Sequence, residues 1–191
     1  NKPVPYWQVV TMVTVKMTGG SMIKLVLTDM DDTLIPAGHD GVSDYAIGGI
    51  HAMQAAGLHF GPVSGRQPSA MGWMFKNRSE CFSTGAFCNG QVMFVDGEVV
   101  ASRAIDNDVL MRLADYFEQE TDDTYLKVYR LGDDFWNNDA YCVTSDPERV
   151  RRAMKSGGNA WLKGEEAPCC PVVDDAPVYK ANIWSLSLIH I

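Results

Sequence analysis

The chain has 191 residues, enough for one large domain or two small ones, and 46% of them are hydrophobic, enough to build a packed core. A net charge of −8 argues against a nucleic-acid partner, which asks for a basic face, and no stretch approaches the roughly 20 apolar residues of a membrane span. The five cysteines, Cys81, Cys88, Cys142, Cys169 and Cys170, form no Cys-x-x-Cys pair. No histidine cluster accompanies them, so free thiols in a reducing cytoplasm are expected, with a Cys169–Cys170 redox pair as the lesser alternative.

Residues 1–21 read as an upstream extension of doubtful origin before a start at Met22. Within it Val9–Val15 is apolar but broken by two threonines, and no small-x-small cleavage site follows, so a signal peptide is the lesser reading. The apolar run that begins at Lys24 reads as a buried strand, and it ends in Asp29-Met30-Asp31-Asp32-Thr33. Carboxylates two residues apart at the end of a strand suit nucleophilic and proton-transfer work on a phosphoryl group, with a divalent cation shared between them. Such strand exits are also where open α/β sheets bind ligands. A calcium loop would need Gly and Glu at its sixth and twelfth places, but Leu34 and Asp40 stand there.

Ser43 is the expected N-cap of a helix carrying Ile47, Ile50 and Met53 and stopping at Gly57. Leu58–Val63 reads as a second strand running into Ser64-Gly65-Arg66. A helix is expected from Pro68 through Met71 and Met74, and a third strand over Cys81–Cys88, followed by Asn89-Gly90. This alternation predicts a parallel sheet with right-handed crossovers. Asp96-Gly97 between Val92–Val95 and Glu98–Ala101 signals a hairpin. Next comes a helix opened by Asp106 or Asn107, with Val109, Leu110, Leu113, Tyr116 and Phe117 on one apolar face. Strands over Thr124–Leu131 and Ala140–Thr144, a helix at Asp146-Pro147-Glu148 and a strand over Val178–Trp184 complete the pattern. The change of texture near residue 92 predicts a separate α+β unit over 92–185.

Asp29–Leu34 resembles motif I of the haloacid dehalogenase superfamily of phosphohydrolases, and the strand ending in Ser64 resembles its second motif. Ser64-Gly65-Arg66 with Asn89-Gly90 is similar to the Cof-type branch, over roughly residues 22–185. The resemblance implies an α/β fold: a partial Rossmannoid parallel-sheet core over 22–91, with an inserted α/β cap domain over 92–185 that closes over the site and selects substrate. It implies a Mg²⁺-dependent phosphatase acting on small phosphorylated metabolites such as sugar phosphates or phosphorylated cofactors. Asp29 would be the nucleophile that becomes an aspartyl-phosphate, and Asp31 the general acid and base. The Asp29 carboxylate and the Asp31 carbonyl would hold the metal. Met30, Thr33, Ser64 and Gly65 would serve the phosphate, and Arg66 and Asn89 would line the substrate pocket. A phosphomutase or phosphotransferase of the same superfamily is the alternative, and a non-catalytic phosphate-binding fragment a third.

The superfamily also supplies a downstream Lys and a Gly-Asp-x-x-Asn-Asp motif, and neither is assigned. Lys180 falls in an expected cap strand. In Gly132–Asp139, Asn137 comes one residue late, so a cap turn is the better reading; Asp174-Asp175 lacks the surrounding pattern. Residues 186–191 match what a sequencing-adapter run would encode, and the natural protein is expected to continue past Ser185. Weak or absent turnover is therefore expected of these 191 residues. His39, His51 and His59 lack metal-ligand spacing and read as structural or exposed. Tyr125, Tyr129, Phe135, Trp136 and Tyr141 read as cap core rather than pocket lining.

Overall fold

A computed structural model describes residues 23–122, 124–131, 138–156 and 168–185. The expected extension over 1–21, the start at Met22, the segment 132–137 with Phe135 and Trp136, and the tail over 186–191 lie outside the described residues. The chain divides into two compact units, Asn1–Ser102 and Arg103–Ile191.

The first unit runs β1 (Leu25–Asp29), α1 (Asp44–Ala55), β2 (His59–Val63), α2 (Met71–Met74), β3 (Gly85–Phe87), β4 (Val92–Val95) and β5 (Glu98–Ser102). Its five strands lie in that same order in one sheet, with β1, β2 and β3 parallel and the β4–β5 hairpin antiparallel. The Ser43 hydroxyl accepts from the Ala46 amide at 3.2 Å, which caps α1 as its sequence implies. Ile47 and Ile50 are buried beneath that helix, and Gly57 turns the chain out of it at φ 80°. Gly61 is fixed by packing: a Cβ there would stand 2.2 Å from the Thr84 carbonyl oxygen, so only glycine lets β2 lie this close to the chain entering β3.

Two expected elements are shorter than their periodicity suggests. The helix at Pro68 is a 3₁₀ turn over Pro68–Ala70 followed by the four-residue α2, because Met71, Met74 and Phe75 bury without needing further turns. The strand read over Cys81–Cys88 shrinks to Gly85–Phe87, since Ser79–Cys81 closes as a 3₁₀ turn that buries Cys81. The hairpin at Asp96-Gly97 forms, with both residues in the left-handed region at φ 51° and 87°. It extends the first sheet instead of opening the second unit, so the break falls after Ser102 and not near residue 92. The reason is burial: Val92 and Phe94 of β4 are covered, and the Phe94 ring meets Phe87 edge to face at 5.7 Å. Each such ring is worth about 1.5–3 kcal/mol of burial, which holds the hairpin on the sheet.

The second unit runs α3 (Asn107–Glu120), β6 (Tyr125–Leu131), β7 (Asn138–Val143), α4 (Pro147–Ser156), β8 (Cys169–Cys170) and β9 (Val178–Trp184). The sheet order is β8-β7-β6-β9, and β6 pairs antiparallel with both β7 and β9. Leu126, Val128, Tyr141 and Val143 form one buried face with Leu110 and Ala114 of α3, while Tyr125 and Cys142 pack with Val150 of α4. Burial pushes the Cys142 thiol up to about 12, as suits an inert core thiol. On α3, Val109 and Tyr116 are exposed, so the buried stripe is Leu110 and Ala114, flanked by Met111 and Phe117, and not the full apolar set. Tyr125 and Tyr141 are core residues, as expected. Among the described residues no helix is long and apolar enough to cross a membrane.

Candidate functional site at the strand exits

Asp29 is the last residue of β1 and pairs in register with Val63, the last residue of β2. Ser64 is therefore the first residue out of β2, beside the exit of β1. Asn89 follows β3 just beyond the next exit. Three parallel strands thus deliver Asp29, Ser64 and Asn89 at neighbouring carboxyl ends, where an open sheet receives its ligands.

The turn after β1 is compact. The Met30 carbonyl accepts from the amides of Ile35 at 2.8 Å and Thr33 at 3.4 Å, and the Asp32 amide returns to the Ile35 carbonyl at 2.9 Å. Met30 and Ile35 are buried and anchor the turn, whereas Asp29, Asp31 and Thr33 face solvent. Asp32 takes φ 60°, a left-handed position that Asp tolerates better than most residues. The same turn thus buries Met30 while exposing both motif carboxylates.

The exits of β2 and β3 are laced together. The Asn89 amide donates to the Ser64 carbonyl at 3.2 Å, and the Cys88 amide donates to the Arg66 carbonyl at 2.9 Å. Cys88 and Asn89 are both left-handed, at φ 53° and 58°, which turns the chain back toward Ser64. A Cβ at Gly65 would come within 2.7 Å of Asn89 Oδ1, so glycine leaves room for that amide. The Ser64 hydroxyl is buried and accepts from the Arg66 amide at 3.1 Å; as a donor it is uncommitted among the described residues.

One contact was not legible from spacing. The Arg66 guanidinium clasps Asp31 through two bonds, Nε to Oδ2 at 3.2 Å and Nη2 to Oδ1 at 2.9 Å. The two residues stand 35 positions apart, and no local pattern links them. Among the described residues no side chain pairs with the Asp29 carboxylate. The Asp31 carbonyl takes part in none of the turn's hydrogen bonds. An open carboxylate beside an open carbonyl is an all-oxygen donor set, which suits a hard cation such as Mg²⁺.

A cavity of about 370 Å³ lies elsewhere, at the amino end of β2, where Gln54, His59, Phe60, Thr84 and Asp96 line it. Two of its polar lining residues, His59 and Asp96, pair Nδ1 to Oδ1 at 3.1 Å. Concavity alone does not outweigh the strand exits, where carboxylates, a hydroxyl and a guanidinium converge. Lys180, set aside in the sequence as a cap-strand residue, sits in β9 over the Tyr129 ring.

A family model described as haloacid dehalogenase-like hydrolase matches residues 26–167. No curated protein sequence matches. Among solved structures, a hypothetical protein from Geobacillus kaustophilus superposes with a TM-score of 0.63 at 17% identity, over 84% of this chain and 57% of its own. A phosphatase of the haloalkanoate enzyme superfamily from Bacteroides thetaiotaomicron gives 0.51 at 20% identity, over 84% and 53%. A subclass IIB sugar phosphatase of the same superfamily gives 0.53 at 18%, over 77% and 52%. The chain thus spans little more than half the length of these structures, and at such identities they speak for the fold alone. The family match covers most of the sequence and contains both strand-exit motifs, and on that basis the chain belongs to the haloacid dehalogenase-like hydrolases.

Proposed function

We propose that the protein is a phosphohydrolase that cleaves phosphate monoesters of small metabolites through an aspartyl-phosphate on Asp29. The observation that carries this reading is the Asp29 carboxylate, without a side-chain partner among the described residues, at the exit of β1 and in register with the exit that presents Ser64. Asp29 attacks phosphorus in line, the ester P–O bond breaks, and the leaving oxygen takes a proton from Asp31. Asp31 then accepts a proton from water as that water attacks the same phosphorus, which frees phosphate and restores Asp29. Ser64 donates a hydrogen bond to a phosphoryl oxygen, joined by the amides of Met30 and Gly65, and Thr33 braces the turn. Arg66 exchanges Asp31 for the phosphoryl oxygens when substrate arrives, which releases Asp31 for proton transfer, and Asn89 lines the pocket beside it.

Mg²⁺, held by the Asp29 carboxylate and the Asp31 carbonyl, would neutralise charge on the phosphoryl group. The second unit is read as the cap that selects substrate, and the sugar phosphatase among the structural relatives makes sugar phosphates the first class to try. Five cysteines outside any disulfide agree with a cytoplasmic setting.

The test is phosphate release from an aryl phosphate and a sugar-phosphate panel, with and without Mg²⁺, for this chain and Asp29→Asn. Binding of trifluoroberyllate, an acyl-phosphate mimic, is followed by ¹⁹F NMR in parallel. Mg²⁺-dependent binding lost in the variant supports the reading even where turnover is slow. Binding that survives Asp29→Asn would sink it.

A further inference from the structure

Away from the strand exits, three side chains of different chemistry meet between α1 and the turn that precedes β3. His51 Nε2 lies 3.0 Å from Glu80 Oε1 and 3.6 Å from Cys81 Sγ. All three donor atoms fall within 4.8 Å of one another. We propose that His51, Glu80 and Cys81 form a binding site for a thiophilic divalent cation of the Zn²⁺ class, which ties α1 to the Ser79–Cys81 turn.

The spacing fits such an ion. With Zn–N near 2.0 Å and Zn–S near 2.3 Å, a tetrahedral centre sets N and S about 3.5 Å apart, and N and a carboxylate O about 3.3 Å apart. The first lies close to the 3.6 Å of this structure, and the second asks for an opening of a few tenths of an ångström between an imidazole and a half-exposed carboxylate. Both ligand-bearing elements are already held in place. Gln54, three residues beyond His51 on α1, donates through Nε2 to the Glu80 carbonyl at 2.5 Å. The Cys81 amide donates to the Arg78 carbonyl at 3.0 Å, closing the turn.

Cys81 is fully buried, while the His51 and Glu80 side chains are 40% and 53% exposed, so solvent reaches the site past these two and water can fill the fourth position. Imidazole and thiol favour Zn²⁺ or Co²⁺, whereas Mg²⁺ favours an all-oxygen set, so this site and the strand exits select different ions. Burial pushes the Cys81 thiol up to about 11. Binding therefore breaks the S–H bond, forms the metal–sulfur bond and releases one proton to solvent. The sequence gives no hint of the site, because 29 residues separate His51 from Glu80.

The experiment is a Co²⁺ titration of the reduced full chain, read by absorption. One equivalent should bring up the thiolate-to-cobalt band with tetrahedral d–d intensity, and Zn²⁺ should bleach both. Cys81→Ser should abolish the charge-transfer band, His51→Gln and Glu80→Gln should weaken Co²⁺ binding at least tenfold, and Cys169→Ser/Cys170→Ser should change nothing. Circular dichroism checks that each variant is folded. No band in the wild type, a band that survives Cys81→Ser, or a band that needs Cys169 or Cys170 overturns the proposal. Because the readout is cobalt–thiolate absorption, it stands or falls separately from any phosphatase activity.

Discussion

Arg149 opens α4 yet serves α3, and replacing it should weaken the second unit sharply. Its side chain is buried, and Nη1 donates to the carbonyls of Phe117 at 3.0 Å, Thr121 at 2.5 Å and Thr124 at 3.0 Å. Nη2 donates to the Glu118 carbonyl at 3.2 Å. These acceptors sit at and just past the carboxyl end of α3, whose last turn carries no basic residue of its own. Arg149 thus places a cation at the negative end of a helix that lacks one. Hydrogen bonds to a charged group are worth about 1.5–3 kcal/mol each, but five on one guanidinium, the Thr121 hydroxyl included, do not add.

Two facts reduce the sum. The Phe117 carbonyl also accepts from Thr121, and Arg149 Nε has no partner. A net loss of about 3 kcal/mol for Arg149→Met follows, a fall in Tm of roughly 12–24 °C for a unit of this size. Arg149→Lys keeps the charge but not the fork, and should fall between the two. Thermal melts and urea titrations of all three chains give the answer. A methionine variant within about 3 °C of wild type, or a lysine variant equal to wild type, would refute the reasoning.

Gly61→Ala should cost more than about 3 kcal/mol in urea unfolding, because the new Cβ meets the Thr84 backbone at 2.2 Å and only separation of β2 from the chain entering β3 relieves it. Glu118 accepts from Thr144 Oγ1 and the Ser145 amide, both at 2.6 Å, and the Thr144 bond leads in holding its carboxyl below the usual range against burial. A depressed folded value gives stability that is present above the unfolded value of about 4.3 and lost as pH falls through the folded one. Glu118→Gln should therefore flatten the acid limb of a stability–pH curve, and an unchanged limb would count against the linkage. Arg66→Ala should leave stability within about 1 kcal/mol, since the Asp31 pair is partly exposed, yet weaken trifluoroberyllate binding at least tenfold. Equal binding by ¹⁹F NMR would remove Arg66 from the proposed phosphate site.

What could be read in advance was local. The Asp29–Thr33 turn, the Ser43 cap and the Asp96-Gly97 hairpin are each set by residues a few positions apart, and β9 spans the expected Val178–Trp184. What escaped depends on long-range closure. The Asp31–Arg66 clasp, the meeting of His51 with Cys81 and the Arg149 contacts join residues 35, 30 and 25–32 positions apart. The hairpin itself was legible but its allegiance was not, because the pairing of β4 with β3 and the packing of Phe94 on Phe87, which show the sheet it joins, are not local patterns. β8, two residues of Cys169-Cys170 beside β7, is too short to carry any periodicity.

The break after Ser102 has a consequence for how such a chain can change over time. Among the described residues, the register and hydrogen bonds that place Asp29, Asp31, Ser64, Arg66 and Asn89 come from the first unit. Substitutions from Arg103 onward can accumulate without disturbing any of those contacts. The two units are therefore free to drift at separate rates: the first held by the contacts that gather its strand exits, the second by the need to keep its own sheet and helices packed.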